Sequence, residues 1–334
     1  MSEPSVSKPF VSKPSVQAEG HSRWTRPPVM RSRFAIEIAA ELVAMDDQPL
    51  KRARVQIRNQ DFDTEWPITL LGASTMEGLL AVCNGEATVS LINPAAILTM
   101  AYRGTGPFSE PQPVRLITTF PSPDACMMAV RKDLGVRSFE DLAAKQPALT
   151  LSVREQHDHC LHMVLDHLAA SAGFSTADIR GWGGELRNNA GPRVSKAKNV
   201  ADGANAIFEE AAYSWVNEAI GAGLEILPMS EPLLQKLEAI GYRRTVLRAA
   251  DYEKLQSDIA TIDFSGWAAY CRADLPDRLV TQICKAIEAR KHLIPWQGDG
   301  PLPVERMCRD TPETPMDVPL HPAAQAFWKS QGYL

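Results

Sequence analysis

ALTLSVREQHDHCLHMVLDHLAASAGF, Ala148 to Phe174, runs from a short apolar strand into an amphipathic helix that closes at Gly173. The scheme recurs in ANAIFEEAAYSWVNEAI, Ala204 to Ile220, with two glutamates at the turn. Upstream, RARVQIRNQ, PITLLG, ATVSLIN, VRLITTF and ACMMAVRK read as strands, whereas STMEGLLAVCNG and SFEDLAAK read as helices, the first capped by Ser or Thr and closed by Gly85. Alternation of strands and helices predicts the α/β class with a mostly parallel sheet. Ligands of open α/β sheets gather at the carboxyl ends of the strands. Glu155–His159 and Glu209–Glu210 then stand at two equivalent mouths.

The 334 residues suit one large domain or two of moderate size. With 45% hydrophobic and 22% charged residues the chain has the composition of a globular protein. A net charge of -5 without a basic block argues against nucleic acid as a partner. The six cysteines, at 83, 126, 160, 271, 284 and 308, lack any Cys-x-x-Cys unit and read as reduced thiols. Residues 1–29 are rich in Ser, Pro and Lys, with SVSKPF echoed by VSKPSV, and are expected to form a flexible arm. From Phe34, FAIEIAAELVAM predicts a helix. No secretory-length apolar run occurs in the first 33 residues and no 18-residue apolar span later. The expected compartment is therefore the cytoplasm as the chain is written, and the periplasm if a native signal peptide precedes it; stable membrane insertion is not expected.

Three readings compete for the histidines of REQHDHCLHMVLDH. His159 and His162, three apart on a helix, are the pair best spaced for a metal, but no established ligand spacing supports one and no metal or other cofactor is expected. In the second reading Asp158 caps the helix and the imidazoles are solvated or bonded to local backbone. In the third, the free N–H groups of the first turn hold an anion beside His157 and His159. Of Glu209 and Glu210, one is expected to face a cleft and the other the sheet's flank, unless both are solvated. A cleft-facing glutamate takes a ligand's amino group or acts as a base. Arg31 and Arg33 offer planar forks for a carboxylate. Trp182, in a glycine-rich loop, either lines an entrance or packs on its own lobe.

Four segments carry a family resemblance. VRKDLGVRSFEDLAAKQPALTLSV, Val130 to Val153, resembles the lobe-crossing passage of type II periplasmic solute-binding proteins, and ATVSLINPAAILTMAYRGTGPF, Ala87 to Phe108, their ligand-proximal strand end. GWAAYCRADLPDRLVTQICKAIE, Gly266 to Glu288, is similar to their return strand and following helix. VPLHPAAQAFWKSQGYL, Val318 to Leu334, resembles the C-terminal motif of the TAXI class of TRAP-transporter solute receptors, and is more specific than the first two. Two departures stand out: PPVMRSRF, Pro27 to Phe34, replaces a glycine-rich turn carrying a tyrosine, and EQHDH, Glu155 to His159, replaces a turn of small residues.

The resemblance implies a two-lobed type II fold with a ligand cleft between the lobes. Lobe 1 would span 30–131 and 251–334, lobe 2 would span 132–250, and hinges would lie at Ala129–Lys132 and Ile262–Trp267. It further implies that Arg31, Arg33, Ser74, Thr75, Met76, Asn93, Gln156, His157, Asp158, His159, Glu209, Glu210 and Ser214 reach the cleft. The expected function is binding of a small organic acid or amino acid, with transporter membrane subunits as partners only if the chain is exported. The rival is a cytoplasmic decarboxylase, hydrolase or isomerase of a small carboxylic acid, using His157, His159 and Glu209 as acid/base groups.

Overall fold

The computed structural model describes residues 27–44, 52–58, 67–191 and 194–334. The chain divides into two units, residues 1–50 and 51–334. In the first, helix α1 (Pro27–Ala44) confirms the helix read from Phe34 and begins seven residues earlier, so PPVMRSRF is helical. Phe34 is 71% exposed, and Arg33 pairs with Glu37 one turn on. Of the expected arm, residues 1–26 lie outside the described residues.

The second unit runs β1 (Ala53–Ile57), β2 (Ile68–Gly72), α2 (Thr75–Cys83), β3 (Val89–Ile92), α3 (Ala95–Arg103), β4 (Val114–Phe120), β5 (Ala125–Arg131) and α4 (Asp141–Lys145). It continues with β6 (Thr150–Arg154), α5 (Cys160–Ala172), α6 (Thr176–Gly181), β7 (Glu185–Ala190), α7 (Lys196–Ala201), β8 (Ala206–Glu209), α8 (Ala212–Gly221) and β9 (Leu224–Ile226). Last come α9 (Glu231–Ile240), β10 (Arg244–Leu247), β11 (Ile259–Asp263), β12 (Trp267–Arg272), α10 (Asp277–Arg290), α11 (Val304–Met307) and α12 (Pro322–Ser330). The strands form two sheets, β1-β2-β3-β12-β4 and β10-β11-β5-β8-β6-β7, with β9 also paired to β5.

The α/β class holds, but the expectation of a mostly parallel sheet does not. Only β2–β3, β6–β7 and β6–β8 pair in parallel; the other seven strand pairs among the described residues are antiparallel. The alternation predicts parallel neighbours only where a helix carries the chain back over the same sheet. Strands β5 and β12 are entered instead through short links from the other sheet, and each lies antiparallel among its neighbours.

These links, Pro121–Asp124 and Phe264–Gly266, are where the chain changes sheet. They are laced together: Phe264 N–H donates to the Asp124 carbonyl at 3.0 Å, Gly266 N–H to the Ser122 carbonyl at 3.0 Å, and Ser265 Oγ to the Asp124 carbonyl at 3.0 Å. The first link precedes the hinge expected at Ala129–Lys132, because Ala129 and Val130 are buried inside the second sheet against β8 and β9. The second falls within the expected Ile262–Trp267.

One apolar cluster runs through both sheets, from Ile92, Met100 and Tyr270 to Met128, Val153 and Leu165. A second is sealed by Trp328 of α12, whose indole donates to the Ile117 carbonyl at 2.8 Å. All six cysteines are buried and unpaired. No helix among the described residues is long and apolar enough to cross a membrane.

Candidate functional site

The site is built from the second unit alone. Strand β6 ends at Arg154, which is only 6% exposed. A side chain this hydrophilic stays buried only with partners. Its Nη2 lies 2.9 Å from Glu209 Oε1 and also contacts Glu210 Oε1. Glu209, fully buried, ends β8, and Glu210 follows it. Lys196, 1% exposed at the start of α7, stands 3.8 Å from Glu209 Oε2 and donates to the carbonyls of Gly191 and Val194. Burial raises the Glu209 pKa, with Arg154 and Lys196 opposing, and burial lowers that of Lys196.

The two glutamates therefore neither diverge between cleft and flank nor stand solvated; both turn to Arg154. Arg154 and Lys196 carry no signal in sequence reasoning. The first reads as the polar residue that ends a strand, the second as part of a solvated helix start, SKAK.

The turn after β6 departs from expectation in its cap. His159, not Asp158, is the N-cap of α5, its Nδ1 accepting from Leu161 N–H at 3.3 Å. Asp158 is exposed, accepts from Gln156 Nε2 at 2.8 Å and pairs with Arg52 at 3.6 Å. His157 is exposed. His159 Nε2 faces Glu210 Oε1 at 3.8 Å, whereas His162 Nε2 meets the Gln156 carbonyl at 3.0 Å. The pair considered for a metal is thus turned to different partners. Among the described residues no three His, Cys, Asp or Glu side chains are grouped to hold a metal ion.

Opposite this turn stands the start of α2. Ser74 occupies the N-cap position without a side-chain capping bond. Thr75 Oγ1 donates to the Asn93 carbonyl at 3.1 Å, and Cys160 Sγ donates to the same oxygen at 3.4 Å. The carbonyl of the residue after β3 thereby joins the start of a first-sheet helix to that of a second-sheet helix. The Asn93 amide donates to the carbonyls of Phe264 at 3.1 Å and Gly266 at 3.2 Å, tying this junction to the second link. Burial pushes the Cys160 thiol up to about 12, so it stays a neutral donor rather than a nucleophile. Asn93→Ala is expected to lower stability by about 2 kcal/mol in urea unfolding, since both carbonyls lose a donor. A loss below about 0.5 kcal/mol would show that the side chain does not hold the link.

Thr75, Asn93, His159, Glu209 and Glu210 are thus connected through Cys160 and Arg154. Ser214 is exposed and donates to the Ala211 carbonyl within the first turn of α8. Arg31 and Arg33 belong to α1, in the first unit. Trp182 packs on Phe174, ring centroids 5.3 Å apart, on its own side of the molecule.

A family model described as NMT1-like matches residues 72–332. The chain belongs to the NMT1-like family. The matched range holds all of this site, from Ser74 to Glu210. Among solved structures the chain is similar to the periplasmic aliphatic sulphonate-binding protein of Escherichia coli, with 12% identity and a TM-score of 0.33, covering 64% of this chain and 54% of that one. It is also similar to a tungstate-binding protein of Desulfovibrio alaskensis G20, with 12% identity, a TM-score of 0.35, and 69% and 83% coverage. A third is an ancestral arginine-binding protein solved with arginine, with 15% identity, a TM-score of 0.31, and 66% and 73% coverage.

Proposed function

We propose that this chain binds a small organic acid or amino acid between its two sheets, in the manner of a solute receptor, with the sheets acting as lobes about the two links. The observation that carries the reading is the junction at the Asn93 carbonyl, where the starts of α2 and α5 meet. Two helix starts stand beside one carbonyl, that of α2 without a side-chain cap, and helix starts carry N–H groups and a positive dipole end that favour a carboxylate. Ser74, with its hydroxyl outside the cap, and His159 flank that place. The C-terminal likeness to TAXI-class receptors supports the same reading.

The test is thermal unfolding against carboxylates, amino acids, sulphonates and oxyanions. The expected result is a raised Tm with one class, about 2.7 kcal/mol of stabilisation at a hundredfold excess over Kd, and recovery of the compound unchanged. His159→Ala and Thr75→Val should each weaken it. A panel without any shift would sink the proposal. Consumption of the stabilising compound would instead support the enzyme reading, which rests on His159 facing Glu210 at 3.8 Å as an acid/base pair.

A further inference from the structure

We infer that the ligand of this site carries an amino group, and that Glu210 receives it. The inference rests on the binding proposal and narrows its ligand to amines and zwitterions over simple acids.

The argument is an accounting of donors and acceptors around Arg154. One nitrogen, Nη2, serves both carboxylates: it bonds Oε1 of Glu209 and Oε1 of Glu210. The Glu209 Oε1 also accepts from Glu210 N–H at 3.2 Å. The remaining oxygens, Glu209 Oε2 and Glu210 Oε2, are shut from solvent without a hydrogen bond, and so is Arg154 Nε. Buried polar atoms in native proteins are almost always satisfied, so orphans concentrated in one cluster mark a missing partner. Lys196 does not fill the role for Glu209, standing 3.8 Å from Oε2 with its ammonium on two carbonyls.

Charge points the same way. Two carboxylates share a single nitrogen of one guanidinium, so the carboxylate oxygens outnumber the donors that reach them, while Arg154 Nε, itself a donor, is left for an acceptor. Of the two glutamates, Glu210 is the one whose Oε1 is faced by His159, the residue before Cys160. An ammonium, with three donors and no acceptor, complements Glu210 Oε2. A carboxylate on the same molecule would meet the N–H groups at the helix starts, so an amino acid satisfies both ends.

The full-length chain is titrated with each common L-amino acid and, in parallel, with its deaminated acid and its N-acetyl derivative, reading Tm and calorimetric Kd. The expected result is binding by one or more amino compounds, with the deaminated and acetylated forms at least tenfold weaker. Glu210→Gln, checked for folding by circular dichroism, should lose at least tenfold in affinity for the amino compound and gain nothing for the acid. If the deaminated acid binds as tightly, or if Glu210→Gln leaves Kd unchanged, the amino-group inference fails while receptor function stands. If no compound of any series shifts Tm, the binding proposal and this inference fall together.

Discussion

Replacing Arg154 with alanine is expected to destabilise the chain by about 3–5 kcal/mol, because a buried ion pair that loses one partner leaves the other charge uncompensated. Here two carboxylates are left, fully buried Glu209 and largely buried Glu210, with Lys196 at 3.8 Å the remaining positive group beside Glu209. The variant can recover by protonating Glu209, whose pKa burial already raises. The loss should therefore be larger near neutral pH than under mildly acidic conditions. The triple variant Arg154→Met, Glu209→Gln, Glu210→Gln should regain a large part of it, since polar amides cost less to bury than unpaired carboxylates. Urea unfolding at pH 5 and pH 8 measures both effects. A loss under about 1 kcal/mol at pH 8 would mean that the cluster is solvated in solution.

Asp124→Asn is expected to change how stability depends on pH. Asp124 Oδ1 accepts from the backbone amides of Ala125 and Ala211, both at 2.7 Å, at the first link and the start of α8. Burial nevertheless pushes its carboxyl up to about 7, with nearby Asp263 contributing, and Asp263 itself is pushed up to about 6 by burial. Between the unfolded carboxylate pKa near 4 and the folded value, the native state binds more protons than the unfolded state, so stability falls as pH rises. Asparagine keeps an acceptor for both amides and removes the ionisation. The variant should match the parent near pH 4 and exceed it increasingly up to pH 7, by about 4 kcal/mol where the full shift is expressed. Asp124 borders an open cavity of about 490 Å³, where the added amide N–H groups can be solvated. Parallel stability curves for the two proteins from pH 4 to 8 would show that Asp124 titrates normally.

The α/β class, the helix over Phe34–Ala44 and several elements after Ile68, among them β2, α2, β3, β4, β5, β6, α5, β8 and α8, were legible in the sequence, because they follow from local periodicity and end signals, whereas the elements from α6 to α7 and from β9 to β11 were not read. Gly173 closes α5 in the left-handed conformation that its place after the apolar face predicts. Around the site, residue types and loop positions were legible, but partners were not. Nothing local marks Asp158 as unavailable for the cap; it is drawn to Gln156 and Arg52, and the latter lies over a hundred residues away in the chain.

What the sequence alone determined is the strand and helix character of the strongly patterned segments, β6 with α5 and β8 with α8 among them, and that polar residues crowd the turns after β6 and β8. Which strands neighbour each other was decided by tertiary structure, through the two links that carry the chain between sheets and set β5 and β12 antiparallel. So was the convergence of Glu209 and Glu210 on Arg154, joining the ends of β8 and β6, 55 and 56 residues apart in the chain. The physical reason is the same in both cases. Local propensities act over a few residues, whereas burial of a charge or a backbone edge is settled only by whichever distant group the completed fold brings alongside.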